Sequence, residues 1–88
     1  MKVKICGVKT EEVAIHVAKE KADFIGLVFV ENVRRKISVD QGIKIVDSIK
    51  KSYSKIPLTV GLFQNQSSIY IDSVVKKTKL DLVQLCGE

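Results

Sequence analysis

The stretch that most restricts the fold is FIGLVFV, which spans residues 24–30. It is apolar at every position except Gly26, so a strand here must be covered on both of its faces, as in a parallel sheet. Gly26 would weaken an isolated strand, and we expect it to serve close packing instead. The chain around this stretch therefore has to supply parallel neighbours and helices that cover them.

Helical patterns fill the three intervals between four predicted strands, which are residues 2–6, 24–30, 58–63 and 82–85. Thr10 is the expected N-cap of the first helix, and Ser38 with Gln41 forms the expected capping box of the second. The third helix is expected to begin near Ser67 or Ser68. The apolar stripes are Val13, Ala14, Val17 and Ala18, then Val39, Ile43, Val46 and Ile49, then Ile71, Val74 and Val75. The order βαβαβαβ predicts an α/β fold with a parallel sheet.

The length of the chain limits how this sheet is completed. The 88 residues compare with about 200–250 residues for a (β/α)8 TIM barrel. We expect one domain, residues 1–88, that forms the N-terminal half of such a barrel, with a minimal open sheet as the alternative. Three helices cover one face of a four-stranded sheet well and two faces poorly. An open inner face and two bare strand edges would favour self-association.

Composition and charge exclude several function classes. The sequence contains no run of 18 apolar residues, so no membrane span is predicted. No apolar stretch follows Lys2 and Lys4, so no secretory signal is predicted either. The cytoplasm is the expected compartment, with Cys6 and Cys86 as free thiols. The net charge of +5 invites a nucleic-acid partner, but the lysines are scattered over helices and no RNA-binding aromatic motif accompanies them.

Polar and reactive residues follow the predicted strands at their carboxyl ends. These residues are Cys6 and Gly7, Glu31–Lys36, Gln64–Ser67 and Cys86–Glu88. In barrels, functional groups gather at this end, so we expect the site here. Asp23 and Asp81 precede strands and should lie at the opposite, stabilising end, while His16 in the first helix is expected on the surface.

Alternation along the first strand places Lys4 and Cys6 on one face and Val3 and Ile5 on the other. The apolar pair is expected to face the helices, which leaves Lys4 inside the barrel, about 7 Å along the strand from Cys6. A free thiol is a weak nucleophile at neutral pH, and a nearby cation activates it. Spacing alone nevertheless favours a buried, apolar role for this cysteine.

The run VRRK at residues 33–36 carries three cations directly after a core strand. Such runs are usually solvated loops. At this position an arginine fork also suits bidentate binding of a carboxylate or phosphate. Both interpretations stay open on the residues alone.

Five motifs in order carry a resemblance to a known family: KVKICGVKTEEVA, ADFIGLVF, RRKIS, VGLFQNQS and LVQLCGE. Together they resemble the N-terminal part of phosphoribosylanthranilate isomerase over essentially the whole chain. The resemblance implies a (β/α)8 barrel of tryptophan biosynthesis that performs an Amadori rearrangement of N-(5-phosphoribosyl)anthranilate. It implies neither cofactor nor metal, because the imine formed on ring opening is itself the electron sink.

By the same resemblance Cys6 is the expected general base. Arg35, or Arg34 beside it, is the expected contact of the anthranilate carboxylate. The expected supporting residues are Lys4, Gly7 and Gln84. The general acid and the phosphate-binding loops of the family follow later strands than the four predicted here. We therefore expect the 88-residue chain to have little or no isomerase activity by itself.

Two positions depart from the family pattern. Cys86 stands where the family usually has histidine, and Val33 stands where serine or lysine is common. The expected partners are a phosphorylated small molecule and either a second copy of the chain or a C-terminal half-barrel; neither nucleic acid nor membrane is expected. A non-catalytic, self-associating half-barrel is the main alternative, and a small basic nucleic-acid binder is the other.

Overall fold

The computed structural model describes residues 2–52 and 57–86. Within them four strands alternate with three helices. In chain order these elements are β1 Lys4–Cys6, α1 Glu11–Lys19, β2 Phe24–Val28, α2 Val39–Ser52, β3 Leu58–Phe63, α3 Ser68–Thr78 and β4 Leu82–Leu85. The strands form one sheet in the order β1-β2-β3-β4, and all three pairings are parallel. The predicted α/β fold with a parallel sheet is confirmed.

Two predicted strands are longer than the observed ones. β1 begins at Lys4 because the amide of Val3 donates to Oδ2 of Asp23 (2.7 Å) and not to a neighbouring strand. β2 ends at Val28 because the chain then turns, and the amide of Ile37 returns to the Val28 carbonyl (2.9 Å). The ladder therefore stops where these side-chain and loop contacts replace strand pairing.

Two helices begin at the expected N-caps, and the predicted capping box is only half formed. The hydroxyls of Thr10 and Ser67 each accept the amide three residues ahead at 3.1 Å. Ser38 likewise accepts the amide of Gln41 at 3.0 Å. The Gln41 side chain, however, reaches away from Ser38 and donates to the Lys9 carbonyl at 3.1 Å. The prediction was wrong here because the loop after β1 offers this side chain an acceptor.

The helices cover one face of the sheet. Side chains on that face are fully buried, among them Ile25, Leu27, Phe29 and Phe63. They pack against helix residues that include Ala14, Ile45, Val46, Ile49 and Val74. Val13 was expected in this core but is 48% exposed. It lies at the flank of α1, which packs on β2 and α2 through Ala14 and Ala18.

Both edge strands are exposed, as expected. The face opposite the helices, called the open face below, is exposed along these edges, but Val60 on the central strand β3 is buried. On β4, Leu82 and Val83 are about half-exposed and Leu85 is 68% exposed. On β1, Val3 and Ile5 are also partly exposed, beside a groove along α1. No helix in the described part of the chain is long and apolar enough to cross a membrane.

Candidate active site

Cys6 lies at the carboxyl end of β1, on the open face of the sheet. Its backbone pairs with Gly26 of β2. A Cβ atom added to Gly26 would lie 3.0 Å from the Cys6 Sγ and 3.0 Å from Cδ1 of Leu62. The thiol thus lies over the space that the missing side chain leaves. Cys6 is a free, exposed cysteine. The buried role that strand spacing favoured for this side chain is therefore wrong.

Gly7, the residue after Cys6, leaves room for the Arg35 side chain. Its φ of +78° is readily adopted by glycine, and its amide donates to the Gly26 carbonyl at 3.1 Å. A Cβ atom on Gly7 would lie 2.5 Å from Cδ and 3.0 Å from Nη1 of Arg35. The Arg35 side chain therefore crosses directly over the backbone of Gly7. The structure therefore places a thiol at the carboxyl end of β1 and a guanidinium side chain over the residue that follows it.

The loop between β2 and α2 holds Arg35 in this position. Asn32 has a left-handed φ of 62°, which turns the chain after the strand. The amide of Lys36 then donates to the Val33 carbonyl at 3.2 Å, and the Lys36 ammonium lies 3.6 Å from the Glu31 carboxylate. Arg34 is also exposed, but the contact with Gly7 belongs to Arg35. The two arginines thus differ in position, and the one that contacts Gly7 is Arg35, which the resemblance favoured.

Lys4 lies on the same open face as Cys6 and reaches across the sheet. Its Nζ donates a hydrogen bond to Oε1 of Gln84 on β4. These strands are three spacings apart, about 14 Å in a flat sheet, so the contact fits a sheet that curls around this face. Two of the expected supporting residues therefore meet below the candidate site.

The side chains of Gln66 and Gln41 join the loops at this end of the sheet. Nε2 of Gln66 donates to the Phe29 carbonyl at 2.7 Å, and Oε1 of Gln66 accepts the backbone amide of Gln64 at 2.6 Å. The bond from Gln41 to the Lys9 carbonyl similarly joins α2 to the loop after β1. The sequence placed Gln66 at this end and assigned Gln41 to a capping box, but it carried no signal for the loop carbonyls to which they bond.

Asp23 and Asp81 lie at the amino end of the sheet, as expected. Oδ2 of Asp81 accepts from the amide (2.8 Å) and hydroxyl (3.0 Å) of the buried Thr59, and Lys50 lies 3.1 Å from Oδ1. Partial burial raises the pKa of Asp81, but the Thr59 amide, assisted by the Lys50 ammonium and the Thr59 hydroxyl, outweighs burial and lowers this pKa below its ordinary 3.8. Both carboxylates serve strand pairing at the end away from the thiol.

The end of β4 is described as far as Cys86, which is partly exposed and whose amide donates to the Phe63 carbonyl at 2.7 Å. Gly87 and Glu88, which were expected at this strand end, lie outside the described residues. Among residues 2–52 and 57–86, no three His, Cys, Asp or Glu side chains are grouped as metal ligands.

The sequence matches known proteins along its whole length. The profile of the family described as N-(5'phosphoribosyl)anthranilate (PRA) isomerase matches residues 3–88. The PRA isomerase of Dehalococcoides mccartyi is 34% identical over 87 residues, and that of Chlamydia trachomatis is 36% identical over 88 residues. The alignments cover 99% and 100% of this chain but 39% and 41% of the relatives. The chain thus spans about two fifths of their length.

Solved structures agree with the fold. A PRA isomerase of Thermotoga maritima matches with a TM-score of 0.89 at 32% identity, over 100% of this chain and 41% of the solved one. The corresponding protein of Thermus thermophilus matches with a TM-score of 0.87 at 27% identity, over 100% and 42%. The parallel sheet, with its reactive groups at the carboxyl ends of the strands, is of the (β/α)8-barrel class and forms about half of such a barrel. Since the family profile covers nearly every residue, the chain belongs to the PRA isomerase family.

Proposed function

We propose that this chain contributes the general base and the carboxylate anchor of a PRA isomerase active site. The observation that carries the proposal is the position of Arg35, which crosses Gly7, the residue that follows the exposed Cys6 in the chain. A solved PRA isomerase structure that is 32% identical to this chain is described as a complex with reduced 1-(o-carboxyphenylamino)-1-deoxyribulose 5-phosphate. That ligand has a carboxylate on an aromatic ring, which suits an arginine fork.

The proposed chemistry assigns one step to each group. The Amadori rearrangement of N-(5-phosphoribosyl)anthranilate needs an acid that protonates the ring oxygen and a base that removes the proton from the neighbouring ribose carbon. Cys6, as thiolate, is the base, and Arg35 holds the anthranilate carboxylate so that this carbon lies near Sγ. Lys4 and Gln84 lie below Cys6 on the same face of the sheet. Free thiols fit a reducing compartment, so we place the reaction in the cytoplasm.

This half-site is expected to be a poor catalyst by itself. The carboxylates of Asp23 and Asp81 are engaged at the other end of the sheet, where they cannot protonate a substrate at Cys6. Glu31, in the loop after β2, pairs with Lys36 and is not assigned as the acid. A general acid contributes roughly 10²–10⁴-fold to a rate. We therefore expect the 88-residue polypeptide to turn over substrate at least about a hundredfold more slowly than full-length relatives.

The assay follows the fluorescence change of freshly prepared N-(5-phosphoribosyl)anthranilate, with Cys6→Ser as the matched inactive variant. Residual turnover that disappears in Cys6→Ser supports the proposed base. Turnover equal in the two proteins would refute it. A rate like that of a full-length family member would show that the chain has an acid we have not assigned.

A second candidate function, self-association, is favoured by the exposed apolar side chains of the edge strands. We infer that β4 of one copy pairs with β1 of a second copy about a two-fold axis, because both edges carry unpaired backbone groups and apolar residues. Leu85, the most exposed edge residue, would be covered in this arrangement. A related T. maritima structure, 31% identical, is described as monomers generated from a dimeric isomerase.

Sedimentation velocity tests the association. We expect dimers of the unmodified chain that Leu85→Lys dissociates. Ile69→Lys is the matched control, because Ile69 is 82% exposed but lies on α3 and not on an edge strand. A monomer at all concentrations, or equal effects of the two substitutions, would exclude edge pairing.

A further inference from the structure

We propose that Gly7 and Gly26 are positioning residues of the candidate site: Gly26 provides the space that seats the Cys6 thiol, and Gly7 provides the space that seats the Arg35 side chain. This inference rests on the proposed function, because it concerns how the base and the carboxylate anchor are aligned. Neither glycine contacts substrate through a side chain. Each acts through the residue that lies over it.

The Gly7 seat depends on two separate properties of glycine. Its left-handed φ lets the chain leave β1 so that the amides of Gly7 and Val8 both donate to the Gly26 carbonyl, at 3.1 and 3.3 Å. Its missing Cβ leaves room for Arg35, since an added Cβ would meet Cδ, Nη1 and Nε at 2.5, 3.0 and 3.3 Å. Cδ is in the middle of the side chain, so it cannot yield without moving the guanidinium group.

The Gly26 seat lies on the neighbouring strand and is linked to the first. An added Cβ would lie 3.0 Å from Sγ and 3.3 Å from Cα of Cys6. Leu62, at 3.0 Å on the other side, closes the space. Because the Gly26 carbonyl also accepts the two amides that follow Cys6, one residue fixes both the thiol and the turn below Arg35.

The test uses affinity alkylation, which does not require turnover. In a Cys86→Ser background Cys6 is the sole thiol of the chain. Its thiolate displaces iodide from two probes that differ by one carboxylate: the iodoacetyl amides of anthranilate and of aniline. The ratio of the two labelling rates measures how well the arginine captures the carboxylate near Sγ. We expect a ratio of about tenfold, in line with a charge-assisted hydrogen bond.

The two substitutions are expected to act differently. Gly7→Ala should lower the ratio to that of Arg35→Met, and the double variant should show no further loss. Gly26→Ala should change the neutral probe's rate by about threefold, as a forced rotamer shift of the thiol would. Gly61→Ala is the matched control, because its Cβ would crowd Leu80 and Phe63 on the helix-covered face. It should alter neither rate.

The outcomes separate this inference from the proposed function. If Arg35→Met lowers the ratio and Gly7→Ala does not, the Gly7 seat is overturned and the carboxylate anchor stands. If Arg35→Met leaves the ratio unchanged, the carboxylate anchor itself fails. Should either alanine variant not fold, NMR of the unsubstituted chain decides the matter. Cross-relaxation between the Gly7 Hα and Arg35 Hδ protons, and between the Gly26 Hα and Cys6 Hβ protons, is expected, and its absence overturns the corresponding seat.

Discussion

The two ends of the sheet use charged side chains in opposite ways. At the amino end, Asp23 accepts the Val3 amide, and Asp81 accepts two donors from Thr59 beside Lys50. At the carboxyl end Lys36 pairs with Glu31, but Arg35 lies over Gly7 and has no carboxylate partner among the described residues. The amino-end charges have partners that hold neighbouring strands together. The carboxyl-end charge keeps its capacity to bind an anion, which is how barrels commonly separate stability from function.

Removing Asp81 should cost more stability than removing any other charged side chain at either end of the sheet. Asp81→Ala leaves the amide and hydroxyl of Thr59, whose exposure is 0%, without their acceptor. We expect the free energy of unfolding to fall by about 1–3 kcal/mol, measured by urea denaturation. Asp81→Asn, which keeps an acceptor oxygen, should lose less. Equal losses in the two variants would mean that charge, and not the hydrogen bonds to Thr59, is what matters.

The lowered pKa of Asp81 predicts a pH dependence of the same contact. Because the folded state holds this pKa below 3.8, the unfolded chain binds the proton more readily and stability rises with pH. The contribution is therefore present above the unfolded pKa and is lost as pH falls through the folded one. The stability difference between the unmodified chain and Asp81→Asn should shrink between about pH 6 and about pH 3. A difference that stays constant over this range would contradict the assignment.

Asp23→Ala should have a smaller effect than Asp81→Ala, although both residues precede strands. Asp23 accepts one backbone amide, that of Val3, at 2.7 Å, and Val3 is 45% exposed on the edge. Water can replace part of this bond, so we expect a loss of about 0.5–1.5 kcal/mol in the same denaturation experiment. A loss as large as that of Asp81→Ala would show that β1 is held more firmly than its exposure indicates.

Most of the fold was predictable because local signals agree with the final packing. β3 and β4 have the predicted bounds. Lys21 and Lys79, whose φ angles are left-handed, lie two residues before Asp23 and Asp81, the aspartates that accept hydrogen bonds from the backbone amides of Val3 and Thr59. The errors lie where long-range contacts replace local ones. Gln41 bonds to the loop after β1 and not to its own helix start, and Val13 lies on a flank that its helix leaves uncovered.

Prediction of the candidate site was less complete. Strand alternation placed Lys4 and Cys6 on one face, and the open face agrees with that. The resemblance favoured Arg35 over Arg34 but left the register of the loop open, because the choice depends on how the loop after β2 returns across Gly7. Nor could it show the bond from Lys4 to Gln84, which depends on the curl of the whole sheet.

Changes at the carboxyl end should have the smallest effect on stability. Arg35→Met keeps most of the aliphatic stem that packs on Gly7 and removes an exposed charge, so we expect the free energy of unfolding to change by no more than about 0.5 kcal/mol. The same variant should lose affinity for anthranilate, measured by fluorescence titration, while Lys44→Met, an exposed lysine on α2, should not. If Arg35→Met destabilised the chain as much as Asp23→Ala, Arg35 would be a structural residue and the contrast between the two ends would fail. If it does not, the end of the sheet that contributes least to stability is the one where a ligand is recognised.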